Sequence, residues 1–225
     1  MDLPLRLREA TAELHGRIER LPAAEAMAAG RITRADYLAL LGQLTLLHAT
    51  LERELELHDA LRVLYQSGMA RLPVLHTDLA VLGGAPAARP WPATLALVRE
   101  LQEWSAQRPW ALLGSLYILE GSRMGSMVLV KPLSAALGVP PRPGQGLDYH
   151  LQGMADRPRA WQQFKAVLAA LPLTDDQAEQ VLAAAVRTMS GLHALYAALT
   201  APDVCIPAAP PALAAMPCVL EVIQS

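Results

Sequence analysis

Helix formers dominate the chain. Ala, Leu, Glu, Gln and Arg dominate and Phe occurs once. No stretch keeps the period-two alternation of a half-buried strand. The expected fold class is therefore all-α, with no sheet. Helical periodicity marks segments near 3–22, 34–58, 58–71, 75–82, 92–105, 108–137, 157–171 and 175–200. Thr33 reads as an N-cap, and Thr174 with Gln177 as a capping box. Gly30, Gly83-Gly84 and the PPRPG run at 140–144 punctuate the connections. The stretch from Pro202 to Pro217 is rich in Pro and Ala. One helical domain is expected over 1–200, followed by a tail over 201–225.

Composition removes several classes. With 53% hydrophobic and 18% charged residues the chain is not intrinsically disordered. A net charge of −2 argues against a nucleic-acid partner. Cys205 and Cys218 are too few for a disulfide framework and have no metal-site spacing, so a reducing, cytoplasmic setting is expected and Cys205 reads as an inert thiol. The N-terminus is charged and amphipathic, unlike a signal peptide. The apolar run 111–138 is interrupted by Glu120, Arg123, Lys131 and Pro132, so no membrane span is expected.

Two helices hold candidate chemistry. On a wheel of ~100° per residue, Leu7, Leu14, Ile18 and Leu21 form the core stripe of the first helix. His15 lies at its edge, with Arg8 and Glu19 on the same side. His15 and Glu19 are i,i+4 neighbours whose side chains can meet. A metal-bound imidazole commonly gives its second N–H to such a carboxylate, which fixes the tautomer. A solvated surface pair is the plainer reading. The second helix, LGSLYILEGSRMGSMVLV, contains Gly114, Gly121 and Gly125 on one face, with Ser115, Ser122 and Ser126 one step round. Each glycine costs about 1 kcal/mol against Ala in a helix interior. A face of small residues lets a backbone approach something flat, either another helix or a planar cofactor.

Together LREATAELHGRIE and LYILEGSRMGS resemble the proximal and distal helices of the heme oxygenases, especially the bacterial biliverdin-producing kind. Trp161 to Phe164 and LPLTDDQAEQVLAAAVRTM resemble that family's C-terminal helices. The resemblance covers about residues 3–200. It implies an all-α bundle that holds heme b, as substrate and cofactor, between the two helices. It implies His15 as the iron ligand and Glu19 as its hydrogen-bonded carboxylate. Arg8, Tyr117 and Lys165 would face the heme propionates. Gly121, Ser122 and Gly125 would line the distal side, Ser122 standing where several members have an aspartate. Arg123, Met124 and Ser126 depart from the usual motif. Arg123 lies about 180–200° from Gly121 and Gly125 on the wheel and is expected to face away from the heme.

The implied reaction cleaves heme to biliverdin, CO and ferrous iron with O2. No G-x-G-x-x-G motif is present, so electrons are expected from an external donor, ferredoxin or a flavoprotein reductase. A biliverdin-binding phytochrome is a further implied partner. The alternative is a heme-binding carrier or sensor without turnover, and a third reading is a helical interaction protein that binds no heme.

The remaining candidates read as structural. His48, one turn before Glu52, is expected to be a buried or half-buried core histidine. None of the six histidines has Glu or Asp three residues before it, against the Glu-x-x-His pairs of di-iron bundles. Trp91, Trp104, Trp110 and Trp161 read as packing. Tyr149 and His150, with Gly153, follow the PPRPG loop and read as surface, with a lid edge as the alternative.

Overall fold

The computed structural model describes residues 2–199 apart from 66, 86 and 88. Among them there is no strand. The helices are α1 (Leu3–Glu19), α2 (Pro22–Ala28), α3 (Arg34–Glu56), α4 (Asp59–Leu64), α5 (Leu72–Val81), α6 (Pro92–Gln107), α7 (Leu112–Ser126), α8 (Val130–Leu137), α9 (Asp148–Leu151), α10 (Arg157–Ala169) and α11 (Asp175–Ala198). Single 3-10 turns span Ser67–Met69, Pro109–Ala111 and Met127–Leu129. The all-α expectation holds, and both expected caps form. Thr33 accepts from the Asp36 amide, and Thr174 and Gln177 make the reciprocal capping box.

Three boundaries differ from the sequence reading. The first helix stops at Glu19, because Leu21 precedes Pro22 and takes an extended backbone (φ −72°, ψ 142°) from which α2 restarts. The helix expected over 108–137 is broken by the turn at Met127–Leu129. Pro132 supplies no N–H just beyond it, so the axis can re-aim there and continue as α8. The segment expected over 58–71 is α4 plus a 3-10 turn.

Buried apolar residues from Leu3 to Leu199 form one connected core. Its centre is α11, which packs against α7, α1 and α6, while α3 packs against α6, α5 and α7. A Cβ on Gly114 would collide with the Val181 carbonyl and lie 2.7 Å from the Ala185 amide nitrogen. That glycine therefore exists to let α7 lie on the α11 backbone, and Ser115 and Thr188 seal the contact with a 2.7 Å hydrogen bond. By length and composition α11 could cross a membrane, yet here its apolar face is core. Arg6 pairs with Glu179 to tie α1 to α11, and α10 bridges α1 and α7. All four tryptophans lie in the core or against it.

The fold also fixes α9, where expectation failed. Both Asp78 oxygens on α5 accept, at 2.8 Å, from the amides of Asp148 and Tyr149. This draws α9 inward, so Tyr149 and His150 are buried rather than surface residues.

Candidate functional site

The two halves of α1 have different surroundings. Leu3, Pro4, Leu7 and Thr11 are buried, whereas Leu14 and Ile18, like Leu21 just beyond the helix, are only half-buried. The expected stripe therefore holds in full only at its start. His15 projects from the exposed half. Its side chain is 57% exposed, that of Glu19 is 67% exposed, and Nδ1 stands 3.6 Å from a Glu19 oxygen. That is ion-pair range and slightly long for a hydrogen bond. With Nδ1 facing Glu19, Nε2 is the nitrogen left for a ligand. Arg8 is exposed on the same helix.

The small-residue face of α7 divides by depth. Gly114 and Ser115 belong to the α11 contact. A Cβ on Gly121 would lie 3.3 Å from the Trp161 ring, and one on Gly125 would meet nothing within 4 Å. Ser122 is exposed beside them, its hydroxyl donating to the Leu119 carbonyl at 2.8 Å. Ser126 is not on this face. It is buried and donates to the Arg123 carbonyl. Only Gly121, Ser122 and Gly125 thus remain as a smooth, accessible patch.

Three aromatics border the patch. Tyr117 is 5.1 Å from Trp161, which in turn stacks on Phe164 at 5.7 Å. The Tyr117 hydroxyl reaches the Pro4 carbonyl at 3.5 Å, joining α7 to the start of α1. Burial raises the Tyr117 pKa, while the positive charge of Arg8 pulls the other way. The Lys165 ammonium lies 5.7 Å from the Trp161 ring centroid. The structure therefore links Tyr117 and Lys165 through Trp161, with Arg8 within electrostatic reach.

The opposite side of α7 holds a buried polar network that sequence reasoning missed. Glu120 accepts from Arg71 at 3.0 Å and from Arg123 at 2.7 Å. Arg123 thus lies on the buried side, away from open Gly125, as its wheel position implied. Glu52 accepts from the amides of Arg71 and Leu72. His48 is buried, as expected, with Nε2 3.2 Å from the Tyr149 hydroxyl. Burial, and then the charges of Arg71 and Arg123, lower its pKa to about 3, so it is neutral. His150 is lowered to about 4 by burial and by Arg157. The available signal was the i,i+3 spacing of Glu120 and Arg123 within an apolar helix; Arg71 and Arg157 are too distant in sequence to have been joined to it. No group of three or more potential metal-ligating side chains occurs among the described residues, so a metal held at His15 would need its other ligands from elsewhere.

Known proteins resemble this chain in sequence and fold. The heme oxygenase family profile matches residues 1–196. A heme oxygenase of Xanthomonas campestris pv. campestris is 32% identical over 178 residues, covering 77% of this chain and 92% of that protein. Among solved structures, the heme oxygenase of Leptospira interrogans has a TM-score of 0.80 at 24% identity, covering 88% of this chain and 100% of its own. Heme oxygenase-1 of the cyanobacterium Synechocystis, solved in complex with heme, has a TM-score of 0.78 at 20% identity, covering 89% and 93%. With the profile spanning nearly the whole of the described helices, the chain belongs to the heme oxygenase family.

Proposed function

We propose that this chain opens the heme macrocycle oxidatively, giving biliverdin, CO and ferrous iron from heme b, O2 and electrons supplied by a separate protein. One observation carries the reading. In a member of this family, the exposed His15–Glu19 pair and the open backbone at Gly125 are the features of α1 and α7 that no internal packing explains.

Bound heme supplies the iron that binds and activates O2. The chain's own residues do the rest. His15 would hold the iron through Nε2, and Glu19, 3.6 Å from Nδ1, is placed to orient the ring. Gly125 lets the α7 backbone approach a flat macrocycle closely, and Trp161 bounds that approach over Gly121. The hydroxyl proton of Ser122 is committed to the Leu119 carbonyl, and Arg123 points into the interior. The patch therefore presents no free side-chain acid to draw oxygen chemistry away from the ring edge. Arg8, Lys165 and Tyr117 provide two cations and a hydroxyl for the carboxylates of the macrocycle, which fixes its in-plane rotation and so the carbon attacked. The chain has no dinucleotide-binding glycine motif; a ferredoxin or a flavoprotein reductase suits the role of donor.

Titration with hemin tests the binding half of this reading. The expected result is a Soret band saturating at one heme per chain, with the axial coordination lost in His15→Ala. An identical spectrum in that variant would remove His15 from the site.

A further inference from the structure

Charge is unbalanced behind α7. Arg71 is fully buried, and Arg123 and Arg157 are 7% and 3% exposed. Arg71 and Arg123 share the single carboxylate of Glu120, whose two oxygens are both occupied by them. Arg157 has no carboxylate at all. It donates only to the carbonyls of Arg123, His150 and Gln152 and to the Ser126 hydroxyl. Among the described residues it forms no ion pair within 4.0 Å. The nearby Glu52 is engaged by the backbone amides of Arg71 and Leu72 and reaches neither Arg123 nor Arg157 with a hydrogen bond. Burial and the fields of Arg123 and Arg71 pull the Arg157 pKa down to about 10. His48 and His150 are neutral. An uncompensated buried cation costs several kcal/mol unless something pairs with it.

A cavity of about 90 Å³ adjoins this excess charge. Arg123, Arg157 and Glu120 line it, with Ala160 and Trp161 of α10 and the exposed Gln163. Arg123 and Arg157 each keep a buried Nε with no hydrogen-bond partner. That is room for several waters, and so for chloride or a single small oxyanion. We propose that this cavity binds a small inorganic anion, held between Arg123 and Arg157. The cavity shares Trp161 and Phe164 with the border of the Gly125 patch, while its two arginines lie on the buried side of α7.

The test is thermal unfolding of the hemin-free protein at constant ionic strength. Chloride or inorganic phosphate replaces gluconate, a much larger anion. The expected result is a saturable rise in Tm of about 3 °C or more. Ala160→Leu fills the space while leaving every arginine in place, and should abolish the rise. Arg157→Gln should abolish it too, and if that variant does not fold, the Ala160 variant decides. The rise should persist in the hemin-loaded protein. Three results overturn the proposal: a Tm that follows ionic strength alone, an equal rise in Ala160→Leu, or loss of the effect on hemin loading, which would make the cavity part of the heme cleft.

Discussion

The molecule contains the same pair twice. His15–Glu19 on α1 and His48–Glu52 on α3 are both i,i+4 pairs with nearly equal separations, 3.6 and 3.7 Å. Their surroundings are opposite. The first pair is 57% and 67% exposed, the second 4% and 12%. Around His48 lie Arg71, Arg123 and Tyr149, which hold it neutral and hydrogen-bonded. Around His15 no such neighbours are drawn in. Helical spacing sets the geometry of such a pair, while packing decides whether the imidazole is structural or available.

Substitution of each histidine should separate the two roles. His15→Ala should reduce heme turnover by more than ~100-fold and remove the axial coordination. Its Tm should barely move, since exposed substitutions fall within about 0.5 kcal/mol. His48→Ala should keep the Soret band and cost about 2–4 kcal/mol of stability by chemical denaturation, because it opens a cavity and strips a partner from Tyr149.

Acid should act through the buried imidazoles of His48 and His150. His48 and His150 titrate near 3 and 4 when folded, against 6.5 unfolded. Between those values the unfolded chain binds more protons, so stability falls as pH drops below about 6.5. Asp78 opposes this. Its folded pKa is raised to about 6 by burial against an ordinary 3.8, so acidification relieves it. Glu52, also raised by burial, opposes it in the same sense, but the two histidines still dominate, and a net loss of about 3 kcal/mol by pH 4 is expected in urea melts. His48→Gln should flatten that profile.

The glycines of α7 repeat the contrast between packed and available positions. Gly114→Ala should cost about 2–3 kcal/mol by forcing α7 off the α11 backbone. Gly125→Ala meets open space and should be neutral or stabilising by up to about 1 kcal/mol, while slowing turnover. The smallest effect belongs to Glu19→Gln. It should weaken hemin affinity about tenfold by loosening the orientation of His15, with unchanged Tm.

Much of this was legible from local pattern. The two helices and their residue types follow from periodicity, and the caps at Thr33 and Thr174 from their side chains. Depth was not legible. A wheel places Gly114, Gly121 and Gly125 on one face, but only the path of α11 assigns the first to packing. Tyr149 and His150 followed a proline-rich loop and read as surface until Asp78, some seventy residues earlier, captured the α9 amides. The network of Arg71, Glu120, Arg123 and Arg157 joins the N-cap of α5 to α7 and α10, and no periodicity connects residues so far apart.

The most direct measurement is to supply ascorbate or a ferredoxin system in air to the one-to-one hemin complex and follow the absorption spectrum. Decay of the Soret band into a biliverdin spectrum, with one CO released per heme, is the predicted result. A Soret band that persists under reductant and oxygen would contradict it and make the chain a heme carrier or sensor.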